Sequence, residues 1–185
     1  FNQRVLSDLG SGRMAVGHVL YGASNPERAD AQPLVVRHIK GSMALAFNGA
    51  LVNALELKEE LELKGAIFHS NSDAEIISHV IINERLHTNS IEEAIEKAMD
   101  KLKGAYSMVV MSPQKLMAVR DPQGIRPLAM GKMGGEIVFA SESCAFDSIG
   151  AKFVRDVRPG EIIVVDRSGV RSLESHCGQK SGLCV

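Results

Sequence analysis

Tryptophan is missing from this chain, tyrosine occurs twice, and aromatic residues make up only 4% of it. A core built here must be aliphatic. Cysteine is scarce and odd in number: Cys144, Cys177 and Cys184 offer no pair at the spacing of a zinc knuckle or a redox couple, so a disulfide framework is not expected. Charge of one sign is also absent, because 21 Lys and Arg nearly cancel 22 Asp and Glu. With no basic run, nothing in the sequence favours electrostatic binding to nucleic acid or to an anionic membrane. Long apolar runs are lacking too, since the stretch from Ile76 to Ile82 is broken by Ser78 and His79. Those absences predict a cytoplasmic globular domain, and 185 residues at 45% hydrophobic suffice for one substantial core.

The apolar residues that are present fall into periodic blocks. Arg13 to Tyr21 and Ser42 to Phe47 read as buried strands, and the Gly, Ser, Asn and Pro chemistry of Gly22 to Pro33 reads as the loop between them. Helical spacing predicts helices over Leu51 to Leu63, Asp73 to Leu86 and Ile91 to Leu102, each with one apolar face. Ser72 with Glu75 and Ser90 with Glu93 fit the capping box at two of the starts. From Gly104 onward the pattern shortens to β-type runs at Ala105 to Met111, Lys115 to Arg120, Glu136 to Ala140 and Glu161 to Asp166. Helices in the middle with hairpins on either side predict an α+β domain in which the helices cover sheet.

Candidate chemistry is sparse. Asn48-Gly49 sits between an apolar run and a helix; it fits a turn, and it also fits an oxyanion hole made of a side-chain amide and a backbone N–H. Asp73, at a helix start, is favoured there by the helix dipole and could also meet a substrate ammonium. His18, His69 and His79 form no metal-ligand spacing and read as structural or surface residues. Cys144, beside small and apolar residues, reads as a buried, inert thiol.

Taken in order, Gly17-His18-Val19 with Tyr21, Gln32-Pro33-Leu34, Ala44 through Ala54 and Ser72-Asp73-Ala74-Glu75 resemble the class II glutamine amidotransferases. Lys103-Gly104-Ala105-Tyr106, Arg120-Asp121-Pro122-Gln123-Gly124-Ile125-Arg126-Pro127-Leu128, Ala140 through Asp147 and Arg158-Pro159-Gly160-Glu161 resemble the amidophosphoribosyltransferase family in particular. That resemblance implies an N-terminal-nucleophile (Ntn) hydrolase fold, a four-layer αββα sandwich. It implies a glutaminase domain over residues 1–171, with 172–185 a loop or linker toward a phosphoribosyltransferase domain. Such a domain releases ammonia from glutamine, and the partner domain makes phosphoribosylamine from phosphoribosyl pyrophosphate, the first step of purine biosynthesis.

By the same resemblance, Asn48 and Gly49 form the oxyanion hole and Asp73 binds the α-amino group of glutamine. The full-length family enzyme is expected to use magnesium, in some members an iron–sulfur cluster to which Cys184 corresponds as a ligand, and to form a homo-oligomer. No metal site is expected in this chain.

Two departures stand out. The family opens on a catalytic cysteine followed by a His-Arg-Gly-Gln-like segment, whereas this sequence opens on Phe1. The reading is of a sandwich incomplete at its N-terminus, with an unpaired sheet edge or an opened core, and no turnover as it stands. Where the family has the arginine that grips the glutamine carboxylate, this sequence has Leu20, and the histidine that precedes Asn-Gly is Phe47. Arg28 and Arg37 are candidate replacements for that arginine. A second reading follows from Leu20: a non-catalytic scaffold or regulatory homologue. Glucosamine-phosphate and asparagine synthases, which share the class, fit the second half less well.

Overall fold

A computed structural model describes Ser7, residues 11–20 and residues 31–178. Strands β1 (Leu34–His38) and β2 (Gly41–Leu51) come first, followed by three helices, α1 (Ala54–Leu63), α2 (Asp73–Leu86) and α3 (Ile91–Met99). Then come β3 (Gly104–Met111), β4 (Leu116–Arg120), β5 (Ala129–Met133), β6 (Glu136–Ala140), a short α4 (Cys144–Ile149), β7 (Lys152–Asp156), β8 (Ile162–Asp166) and β9 (Gly169–Leu173). One antiparallel sheet has the order β1-β2-β3-β4-β8-β9, and a second has β6-β5-β7.

The period of two along each strand decides what lies on which side. Met43, Leu45 and Phe47 of β2, Tyr106, Met108 and Val110 of β3, and Ile162 and Val164 of β8 meet the helices in the main core. Ala118 and Ile163, on the opposite face of the same sheet, pack with Leu128, Met130 and Val157 of the second sheet and its flanks. Phe146 of α4 covers the far side of that second sheet with Ala129 and Ala151. The order of layers is helix, sheet, sheet, helix, the αββα sandwich.

Helix starts follow the serine signals, with altered partners. Ser90 Oγ accepts from the Glu93 N–H at 3.2 Å, and Glu93 reaches back to the Asn89 N–H at 3.1 Å. Ser72 Oγ accepts from Ala74, while Glu75 turns away from Ser72 to take the N–H groups of His69 (2.9 Å) and Ser70 (2.8 Å). Glu75 therefore ties down the loop that enters the helix rather than completing a box. The helix α2 buries Ala74, Ile76, Ile77, Val80 and Ile81, more than one face, because it is wedged between its neighbours α1 and α3 and the sheet.

Several elements differ from the sequence expectation. Among the described residues, Arg13 to Leu20 joins no sheet; Met14, Val16 and His18 are half-buried in alternation with exposed neighbours, so the apolar run signals contact without strand pairing. Tyr21 lies outside the described residues. Strands β1, β5, β7 and β9 and helix α4 appear where no element was expected. Cys144 is exposed and opens α4, correcting the reading of a buried thiol. Beyond β9, which runs to Leu173, the chain is pinned to α3 by Ser175 to Glu96 (2.6 Å) and by His176 to Asp100 (2.8 Å).

Candidate functional site

Asn48 and Gly49 lie within β2 and not in a turn, opposite Ser107 and Tyr106 of β3. Gly49 has φ +153°, and a Cβ there would stand 2.1 Å from the Ala105 carbonyl oxygen. Only glycine allows β3 to approach so closely. Two residues on, the Leu51 N–H donates to Asp73 Oδ2 at 2.8 Å. This bond brings the first residue of α2 to the end of the strand that carries Asn48 and Gly49.

Asn48 projects from the sheet-to-sheet side of β2, and beside it a cavity of about 120 Å³ opens between the layers. Its lining includes His18 and Asn48, Ser107 across the ladder, Leu128, and Phe139 and Ser141 from the end of β6. His18 is half-buried, and burial lowers its pKa below the usual imidazole value, favouring the neutral ring. Ser107 is buried, 3% exposed, and directly opposite Asn48. By sequence His18 reads as a structural or surface residue, and Ser107 and Ser141 carry no role. Serines in a β-run carry no local signal, and only the register reveals that Ser107 faces Asn48.

The departures from the family pattern resolve differently. Phe47 packs in the helix-side core, 6% exposed, while its N–H is taken by Gln32 Oε1 at 2.6 Å. Its side chain is a core residue, so the exchange of histidine for phenylalanine is a packing matter. Leu20 is 46% exposed and does not line the cavity. Arg37 is excluded as its replacement: it pairs with Ser42, six residues before Asn48, which is about 20 Å along the strand. Arg28 and Cys184 lie outside the described residues. Among the described residues no group of three or more His, Cys, Asp or Glu is arranged to hold a metal ion.

The second-half motifs build the support behind the site. Arg120 spends its guanidinium on three carbonyls, those of Arg126 (2.8 Å), Val157 (2.7 Å) and Gly124 (2.8 Å). Asp121, fully buried, accepts the N–H groups of Tyr106 (3.2 Å) and Gln123 (2.9 Å). Arg120 and Asp121 thereby fold the loop that leads to β5 against β3. Glu161 is fully buried and takes two bonds from Arg155 (2.8 and 2.7 Å), one from the Arg158 N–H (2.8 Å) and one from Ser172. Burial by itself would raise this carboxyl, but those donors outweigh it and hold it down at about 2.

Comparison with known proteins agrees with the geometry. The family described as "Glutamine amidotransferase domain" matches residues 23–148. An amidophosphoribosyltransferase of Bacillus subtilis is 42% identical over 163 residues, covering 87% of this chain and 34% of the relative. One from Methanocaldococcus jannaschii is 42% identical over 166 residues, covering 89% of this chain and 35% of the relative. The solved glutamine phosphoribosylpyrophosphate (PRPP) amidotransferase of B. subtilis, complexed with ADP and GMP, superposes with a TM-score of 0.78 at 41% identity, covering 84% of this chain and 33% of that one. The chain thus spans about a third of the length of the curated relatives it matches. With the match to the family over more than half its length, and with the αββα layers in place, the chain belongs to the class II glutamine amidotransferase domain family, in the form found in amidophosphoribosyltransferases.

Proposed function

We propose that this chain is the glutaminase part of an amidophosphoribosyltransferase. It supplies ammonia from the side-chain amide of glutamine to a linked phosphoribosyltransferase domain in the cytoplasm. There ammonia displaces pyrophosphate from phosphoribosyl pyrophosphate. The observation that carries the reading is the bond from Leu51 to Asp73, which places a carboxylate beside the strand bearing Asn48 and Gly49.

Each residue then has a task. The Asn48 side-chain amide and the Gly49 N–H stabilise the oxyanion that forms when the amide carbon is attacked. Asp73 spends one oxygen on Leu51 and keeps the other for the substrate ammonium. Attack belongs to an N-terminal cysteine whose own α-amine carries the proton, the arrangement the family resemblance implies. No step is assigned to magnesium or to an iron–sulfur cluster, whose ligands would lie outside the described residues.

The test is a longer protein carrying both domains. Asn48→Ala should cut glutamine hydrolysis by roughly 10²- to 10³-fold in kcat, the scale of one lost oxyanion donor, and leave synthesis from ammonia intact. Unchanged hydrolysis would remove Asn48 from the reaction. A non-catalytic homologue is the second reading, favoured by the uncharged Leu20; it requires that the wild-type protein hydrolyse no glutamine while the ammonia reaction proceeds.

A further inference from the structure

At the opposite end of β2 from Asn48 lies a larger cavity, about 320 Å³, between the β1-β2 turn, the C-terminal end of α2 and the β3-β4 turn. That volume falls at the low end of the roughly 300–1,000 Å³ typical of small-molecule sites. Its lining brings together His38, Lys40, Arg85 and Lys115 and includes no aspartate or glutamate. Sequence gave no hint of the cluster, since these residues come from three separate segments.

The charge is mostly uncompensated. Lys115 is committed to Glu92 at 2.6 Å, and Glu92 is also held by Arg171 at 2.7 Å. Arg85 donates only to the carbonyl of Thr88, a neutral acceptor, and among the described residues neither it nor Lys40 nor His38 has a carboxylate partner. Glu93, the other acid in the first turn of α3, is occupied with the Asn89 N–H. His38 Nδ1 accepts the Lys40 N–H at 3.2 Å, which fixes the proton of the neutral ring on Nε2 and leaves that N–H as a donor. Burial first, and then the charge of Arg85, lower the pKa of His38.

We propose that this cavity binds the phosphate group of a small phosphate monoester. A guanidinium from α2, with an ammonium and an imidazole N–H from the β1-β2 turn, suits a doubly charged, tetrahedral oxyanion better than a planar carboxylate. The space is larger than a bare phosphate needs, which leaves room for a short organic part. The site is independent of the glutaminase reading, because neither Asn48 nor Asp73 takes part in it.

The ring protons of His38 report binding by NMR in the 185-residue chain, with His38→Gln to assign the signal among six histidines. Inorganic phosphate and glycerol 3-phosphate are titrated against chloride at constant ionic strength. The expected result is a saturable shift of the His38 signal, with glycerol 3-phosphate binding at least as tightly as phosphate. Lys40→Gln and Arg85→Gln should each weaken it roughly tenfold, the scale of one lost charge-assisted bond. Lys132→Gln, on the other sheet, should leave it unchanged. Arg85 also holds Thr88, so exposed Lys40 keeps the test valid if Arg85→Gln fails to fold. The proposal is overturned by a shift that chloride reproduces, by tighter binding of citrate than of either phosphate, or by a Lys40→Gln affinity equal to wild type.

Discussion

Asp73 accepts the backbone N–H of Leu51 at 2.8 Å, which fixes the start of α2 to the same strand that holds Asn48 and Gly49. The site is therefore framed by a main-chain donor, and the carboxylate is placed before any substrate arrives. Asp73→Asn keeps an acceptor for Leu51 and loses the charge. It should fold like wild type and raise the glutamine KM of the two-domain protein by roughly ten- to a hundredfold, the loss of a bond to a charged group. An unchanged KM would show that the ammonium is held elsewhere.

Gly49→Ala tests the close approach of β2 and β3. The Cβ would press on the Ala105 carbonyl, and the backbone sits at φ +153°. The strain alone costs on the order of 1–3 kcal/mol, and the clash adds to it. Gly41→Ala is the comparison, since φ is +133° there but nothing lies within 4 Å. Urea unfolding should rank Gly49→Ala well below Gly41→Ala in stability; equal losses would mean that the strands can part without cost.

Glu161 should govern the acid limb of stability. Its carboxyl is held at about 2, below the ordinary 4.5, so the folded state binds the proton less readily than the unfolded one. The stabilisation is fully present above pH 4.5 and is lost as pH falls from 4.5 toward 2. A shift of that size corresponds to roughly 3 kcal/mol. Glu161→Gln should be less stable at neutral pH, because Arg155 loses its partner, and should show a flatter acid limb. Unfolding midpoints measured across that window would reveal it, and parallel curves for wild type and variant would refute the assignment.

Tyr106 has a fully buried side chain whose hydroxyl finds no hydrogen-bond partner among the described residues. Burial, then the charges of Asp121 and Asp100, push its pKa upward, so the hydroxyl stays neutral. Tyr106→Phe removes an unsatisfied polar atom whose burial costs about 1–3 kcal/mol. The thermal midpoint should stay level or rise. A clear fall would reveal a bonding partner for the hydroxyl.

Leu20 offers a gain-of-function test. The family resemblance implies a carboxylate-binding arginine at this position, and Leu20, 46% exposed, has space for a longer side chain. In the two-domain protein, Leu20→Arg should lower the glutamine KM and leave ammonia-dependent synthesis nearly unchanged. If KM does not fall, the carboxylate is bound by a residue other than the one at this position.

Much of this was legible in the chain itself, and the reasons are local. Ser72 and Ser90 announce α2 and α3, because a serine just before an apolar run accepts an orphan amide of the first turn, and at α3 Glu93 completes the reciprocal cap. Alternation or unbroken apolar runs gave β2, β3, β4, β6 and β8. Two of the strands that were missed have no such mark: β5 reads Ala-Met-Gly-Lys-Met without a β-branched residue, and β7 keeps Phe153 and Val154 largely exposed. Helix α4 has six residues, too few for a helical period to register.

Asn48, Gly49 and Asp73 could be singled out from the sequence, since their types and spacing are local properties. Only the tertiary structure decided that Asn48-Gly49 is in-strand, that Ser107 faces it, that His18 and Ser141 line the same cavity and that Arg37 is too far away. Each of those facts depends on the register between strands and on the gap between two sheets. Pairings between β2 and β3 join residues more than fifty positions apart, and no local period encodes them.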